Sequence, residues 1–176
     1  MSHINFEFKA RTFQLEILEK KLLEFNPEFI GSDHQTDTYF NVNHGRLKLR
    51  EGNIENSLIY YERNNVAGAK QSDIILYNHT PQQPLKDLLI KVHGVKVIVN
   101  KIRKIYFVEN VKFHFDTVEG LGKFIEVEAI DSKGKFSVNE LKKQCEKFAN
   151  FFDIQPQDYV SESYSDLLMQ SKKELE

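Results

Sequence analysis

Charged residues in this chain recur two positions apart, with apolar residues between them. GRLKLRE, Gly45 to Glu51, sets Arg46, Lys48 and Arg50 against Leu47 and Leu49. NKIRK places Lys101 and Arg103 either side of Ile102, and FIEVE places Glu126 and Glu128 either side of Val127. VKFHFD alternates Lys112, His114 and Asp116 with Val111, Phe113 and Phe115; NFEFK alternates Asn5, Glu7 and Lys9 with Phe6 and Phe8. SLIYYER adds Ile59, Tyr61 and Arg63 on one face. A period of two is that of a β-strand, so each segment has one apolar and one polar face. If the polar faces converge on a cavity, Lys9, Lys48, Arg50, Arg63, Lys101, Arg103 and Lys112 would bind a polyanion, the arginines forking onto phosphate oxygens. Glu7, Asp116, Glu126 and Glu128 would hold a hard divalent ion such as Mg²⁺ or Mn²⁺ through oxygen ligands. A metal–triphosphate complex requires both sets in one pocket.

Alternation alone leaves open which face is wet, because charged outer faces and cross-strand ion pairs are normal on antiparallel sheets. The elements between the strands bear on the choice. Leu15, Leu18, Leu22 and Phe25 recur at helical spacing up to the Asn26-Pro27 stop. LKDLLIKVHG reads as a short helix ended by Gly94. Ser137 and Glu140 form a capping box for a helix in which Val138, Leu141, Cys145, Phe148 and Phe152 share a face, and SYSDLLMQSKKELE reads as a last helix. These amphipathic helices need an apolar surface to pack on. Further strands are HQTDTYFNV, joined to GRLKLRE by a hairpin at Asn43 to Gly45, SDIILYNHT, and one or two within VKVIVNKIRKIYFVEN. An α+β fold reconciles them: a closed antiparallel barrel of about eight strands, charges inside, helices packed outside and at the ends.

The bulk numbers narrow the class. A chain of 176 residues, 40% hydrophobic, fits one domain over residues 1–176 with a sizeable core. A net charge of −2 does not favour a nucleic-acid or membrane-surface partner. The lone Cys145 rules out an intramolecular disulfide and reads as core. No apolar run spans a bilayer and MSHINFEFK has no secretory core, so the expected location is cytoplasmic. Gly120-Leu121-Gly122-Lys123 lacks the P-loop glycine, since position 117 is Thr117, and reads as a turn.

Seven segments, in order, resemble the CYTH superfamily, the triphosphate tunnel fold shared by class IV adenylyl cyclases and thiamine triphosphatases. They are N-F-E-F-K at Asn5 to Lys9, D-T-Y-F at Asp37 to Phe40, G-R-L-K-L-R-E at Gly45 to Glu51, Y-Y-E-R at Tyr60 to Arg63, K-I-R-K-I-Y at Lys101 to Tyr106, F-D-T-V-E-G-L-G-K-F-I-E-V-E at Phe115 to Glu128, and S-Y-S-D-L-L at Ser163 to Leu168. The sixth is most similar to the cyclase-type branch. The resemblance implies an eight-stranded antiparallel tunnel around a triphosphate, Mg²⁺ or Mn²⁺ as cofactor, and a homodimer. It implies phosphate binding by Lys9, Lys48, Arg50, Arg63, Lys101 and Arg103, with Lys112 at a further basic position, and metal ligation by Glu7, Asp116, Glu126 and Glu128. Glu7, Lys9 and Arg103 are the residues it sets nearest the chemistry. The implied reaction is conversion of ATP to cyclic AMP and pyrophosphate. The alternatives are hydrolysis of thiamine, nucleotide or inorganic triphosphate, and binding of triphosphate or polyphosphate without turnover. The departure is Asn5, where the family's E-x-E-x-K strand begins with a glutamate.

Overall fold

The computed structural model describes residues 2–62 and 66–175. Its strands are β1 (Ser2–Arg11), β2 (Glu28–Phe40), β3 (Arg46–Glu51), β4 (Ser57–Glu62), β5 (Lys70–Asn78), β6 (Val95–Val108), β7 (Val111–Val118) and β8 (Gly122–Asp131). The helices are α1 (Leu15–Leu22), α2 (Gln83–His93), α3 (Val138–Phe151) and α4 (Tyr164–Lys173). All neighbouring strands pair antiparallel, and the sheet closes in the order β1-β5-β4-β3-β2-β6-β7-β8. Closure removes sheet edges and gives the barrel an inside, which is what the charged faces require.

The outer face of β1, β7 and β8 carries Phe6, Phe8, Ala10, Phe113, Phe115, Ile125, Val127 and Ala129, all buried. α1 lays Leu15, Leu18 and Leu22 on it, and α3 lays Leu141, Cys145 and Phe148, with its C-cap Phe152. The rings meet edge to face, Phe113 against Phe148 at 4.7 Å between centroids, the geometry the ring quadrupoles prefer. Cys145 is core, its Sγ donating to the Phe6 carbonyl at 3.1 Å. α2 sets Leu89 over Phe40 and Leu49. α4 closes one end, where Tyr164 packs with Tyr39, Val97, Val99, Val118 and Phe124. The core therefore lies outside the barrel and at one end, leaving the middle to polar groups.

The local starts follow their residues. Ser137 caps α3 by accepting from the Glu140 N–H while the Glu140 carboxylate accepts from the Ser137 N–H; Ser163 and Asp166 repeat the device at α4. Two details differ from the sequence reading, and a third was left open by it. Val138, placed with the apolar face of α3, is exposed at the first position of the helix. Of the one or two strands read in the stretch from Val95, the structure has one, Val95–Val108. β2 begins at Glu28, well before HQTDTYFNV, with a register shift between Phe29 and Gly31 that alternation could not reveal. Among the described residues no helix is long and apolar enough to cross a membrane.

Candidate functional site

Strand register sets charges opposite one another. Asp37 lies across from Arg50, Arg103 from Asp116, Lys9 from Glu126, Glu7 from Glu128, and Lys112 from Glu128. All face the barrel interior or lie just beneath its lining. Glu7, Lys9, Lys48, Arg50, Lys101, Arg103, Lys112, His114, Glu126 and Glu128 line one cavity of about 740 Å³. That volume falls within the range typical of small-molecule sites, about 300–1,000 Å³.

Two buried carboxylates organise the cations. Asp37 accepts from Arg50 Nε and Nη2, both at 2.8 Å, and from Lys101 Nζ at 2.8 Å, with Lys48 Nζ at 3.2 Å. Burial alone would raise its pKa, but Arg50, Lys101 and Lys48 outweigh burial and hold the carboxyl well below the usual range. Lys101 moves the other way, down to about 7: burial disfavours its charge, and Arg50, Arg103 and Lys48 add to that against the pull of Asp37. Asp116 accepts from Arg103 Nε at 2.7 Å and Nη2 at 2.6 Å, and from the Tyr164 hydroxyl at 2.7 Å. Both Asp116 oxygens are thus taken, and Arg103 also reaches Glu126 at 3.2 Å. The two arginines are held in fixed orientations, which suits forked binding of phosphate oxygens.

A second cluster joins β7, β8 and β1. His114, Glu126 and Glu128 each offer a ligand atom within 4.8 Å of the others. His114 Nδ1 lies 3.3 Å from Glu126 and 4.0 Å from Glu128. Burial, then the Arg103 charge, lowers His114 to about 4, so its imidazole is neutral at neutral pH and has a lone pair to offer. Burial, then the charge of Glu7, pushes Glu128 up to about 7. Asn5 shares the inner face of β1 with Glu7 and is fully buried. Its amide, the Ser72 hydroxyl opposite it on β5 and His114 Nε2 make no hydrogen bond. Each such group costs roughly 1–3 kcal/mol unless something binds it. A nitrogen, two carboxylates and orphaned polar groups around them fit a divalent ion with its water shell, and the mixed N/O donors suit Mn²⁺ at least as well as Mg²⁺.

The rest of the lining is of different character. β4 and β5 contribute Ile59, Tyr61, Ile74 and Leu76, joined by Ile130 and Ile54. The β3–β4 loop folds inward at the end away from α4. There Glu55 pairs with Arg50 at 3.3 Å and with Lys112 at closer range. Burial would raise Glu55, but Lys112 and Arg50 outweigh it and hold its carboxyl well below the usual range.

The structure thus brings Glu7, Lys9, Lys48, Arg50, Lys101, Arg103, Lys112, Glu126 and Glu128 to one cavity and sets Asp116 behind it, hydrogen-bonded to Arg103 and Tyr164. Arg63 lies outside the described residues. The sequence reading gave no role to Asp37, Glu55 or Tyr164, and placed His114 on the polar face of its strand without making it a ligand. Asp37 shares the parity of Tyr39 opposite Lys48 and Arg50, a cross-strand match that could have exposed it. Glu55 sits in a loop without periodicity and gave no signal.

A family model described as the CYTH domain matches residues 3–164. No curated protein sequence matches the chain. Among solved structures, the PH1012 protein of Pyrococcus horikoshii OT3 is 24% identical, with TM-score 0.77 over 93% of this chain and 98% of its own. A candidate adenylate cyclase of Vibrio parahaemolyticus is 17% identical, with TM-score 0.75 over 96% of this chain and 99% of its own. HpAC1 of Hippeastrum, a candidate adenylyl cyclase with a dominant triphosphatase activity, is 14% identical, with TM-score 0.63 over 96% of each chain. At these identities the likeness is one of fold. With the family match spanning nearly the whole chain and the charged barrel interior already in view, the chain belongs to the CYTH domain family.

Proposed function

We propose that this protein is a metal-dependent enzyme that binds a nucleoside triphosphate along the barrel axis, with conversion of ATP to cyclic AMP and pyrophosphate as its leading reaction. One observation carries the reading. A single cavity holds oriented cations on β1, β3 and β6, a His–Glu–Glu cluster on β7 and β8, and an apolar wall on β4 and β5. The cations match a phosphate chain, the cluster a divalent ion, and the apolar wall an organic group. His114, Glu126 and Glu128 would hold the ion, which when bound supplies charge neutralisation and Lewis acidity at the phosphates. The chain's own residues do the rest. Lys9, Lys48, Lys101, Arg50 and Arg103 align the phosphates and stabilise charge on the departing pyrophosphate. As the ribose 3′ oxygen bonds to the α-phosphorus, the bridging P–O bond to the β-phosphate breaks, and the hydroxyl proton passes to Glu7 on the neighbouring strand.

Triphosphatase action is the second reading, and Asn5 is the observation that favours it. A neutral amide in place of a carboxylate lowers the negative charge available for metal. Cyclisation demands more of that charge, because the ribose must fold back and be deprotonated at a fixed point. Water attacking the terminal phosphate must also give up a proton, but it needs no folded ribose.

The test incubates the purified protein with ATP, thiamine triphosphate or tripolyphosphate, each with Mg²⁺ and Mn²⁺, and separates the products. Cyclic AMP with pyrophosphate is the expected outcome, orthophosphate establishes the second reading, and no product from any pair removes both.

A further inference from the structure

Glu55 is a carboxylate of the cavity lining that comes from a loop rather than a strand and meets two of the cavity's cations. The loop that carries it is tied to β2 along its length. The Asp33 carboxylate, fully buried, accepts from the backbone N–H of Ile54 and of Glu55, each at 2.9 Å. Asn53 accepts from the His34 N–H at 2.6 Å and donates to the Ser32 carbonyl at 3.2 Å. Asn56 accepts from the Gly52 N–H at 2.9 Å. Gly52 admits Asp33 to the loop: a Cβ there would lie 2.5 Å from Asp33 Oδ1. A backbone held at so many points keeps its side chain where it is when a ligand enters.

The position of that side chain divides the cavity. Its carboxylate reaches Arg50 on β3, Lys112 on β7 and the Gln35 amide on β2, at 3.2 Å for the last. β3 and β7 are not neighbours in the barrel, so Glu55 bridges the interior. Towards α4 lie Lys48, Lys101 and Arg103; beside Glu55 the lining turns to uncharged side chains, Ile54, Asn56, Ser57 and Asn78. Two of the cations expected to bind phosphate, Arg50 and Lys112, are already met by this carboxylate. The cationic stretch therefore ends at Glu55 and an uncharged stretch begins there.

We propose that Glu55 is a specificity residue that ends the anion-binding stretch, so that the tunnel accepts a triphosphate followed by an organic group and rejects a fourth consecutive phosphate. This rests on the triphosphate-tunnel reading above. A fourth phosphate would meet a fixed like charge in a partly desolvated site and find no cation beyond it among the uncharged side chains there. An organic group at the same place meets neither cost.

Calorimetric titration of the wild type, Glu55→Gln and Glu55→Asp with tripolyphosphate and with tetrapolyphosphate decides the matter, melting curves serving as the check of folding. Charge alone would make the longer chain bind tighter. The wild type should instead prefer tripolyphosphate by about tenfold or more, the scale on which like-charge contact acts. Glu55→Gln should bring the two affinities together or invert them, and Glu55→Asp, which keeps the charge, should retain the preference. A wild type that binds tetrapolyphosphate as tightly as tripolyphosphate overturns the proposal even if the glutamine variant does not fold, and so does an unchanged ratio in a folded Glu55→Gln. Failure of the wild type to bind either chain overturns the tunnel reading itself and the proposal with it.

Discussion

Lys101 shows what a single side chain contributes. Its ammonium is buried among Arg50, Arg103 and Lys48, and its pKa falls from 10.5 to about 7. As pH falls from 10.5 towards 7 the unfolded chain takes up a proton that the folded chain refuses, so Lys101 loses the free protein stability across that window. A polyanion in the tunnel reverses the balance by favouring the charged form. At pH 8 tripolyphosphate binding should therefore draw a proton onto Lys101. Calorimetric heats in two buffers of different ionisation enthalpy should reveal the uptake, and Lys101→Arg, charged throughout, should lack it. Equal heats in both buffers for the wild type would mean that Lys101 does not meet the phosphates. Asn5 is the counterpart on the acidic side. Its type was plain in the sequence, but that its amide lies buried without a partner follows only from the strands around it.

At the scale of elements, the barrel wall depends on what the helices press against it. Phe113 is fully buried beneath Phe148 and Phe152 of the α3 region. Phe113→Ala should cost about 3–5 kcal/mol, as large-to-small changes in packed cores do. Ser137→Ala removes only the α3 cap and should cost about 1 kcal/mol. Urea unfolding of both, with unchanged slope, checks the order; a cap that outweighed the ring would mean that α3 holds itself together without the barrel. The helix starts were legible because a capping box is a local bargain between residues three apart. The early start of β2 was not, because its pairing with β6 is a contact between segments some way apart in the chain.

The whole molecule is a closed cage in which carboxylates meet most of the interior cations, while Glu7 and Glu128 face each other as like charges. Asp37, Asp116 and Glu55 are ion-paired to Arg50 and Arg103, cations that the proposed triphosphate would also meet. Like charges in a confined space repel unless compensated, so these carboxylates let the barrel fold before any ligand arrives. A triphosphate that binds only the folded cage should raise the melting temperature by mass action, about 2.7 kcal/mol at a hundred times Kd. Arg103→Ala should lose most of that shift, and added salt should shrink it in the wild type. No shift with tripolyphosphate at millimolar concentration, with or without Mn²⁺, would count against every function proposed for the tunnel.

Alternation at a period of two determined which side chains share a face, and the amphipathic helices determined that one face of the sheet must be covered. The inward placement of Lys48, Arg50, Lys101 and Arg103 was legible on those grounds, since apolar helix faces cannot rest on a charged surface. The partners of those cations were decided by the tertiary structure alone. Which carboxylate meets which arginine depends on strand register and barrel closure, contacts between segments far apart in the chain. Glu55 is the clearest case: a loop glutamate with no pattern around it becomes an interior charge because a buried Asp33, on another strand, holds its backbone in place.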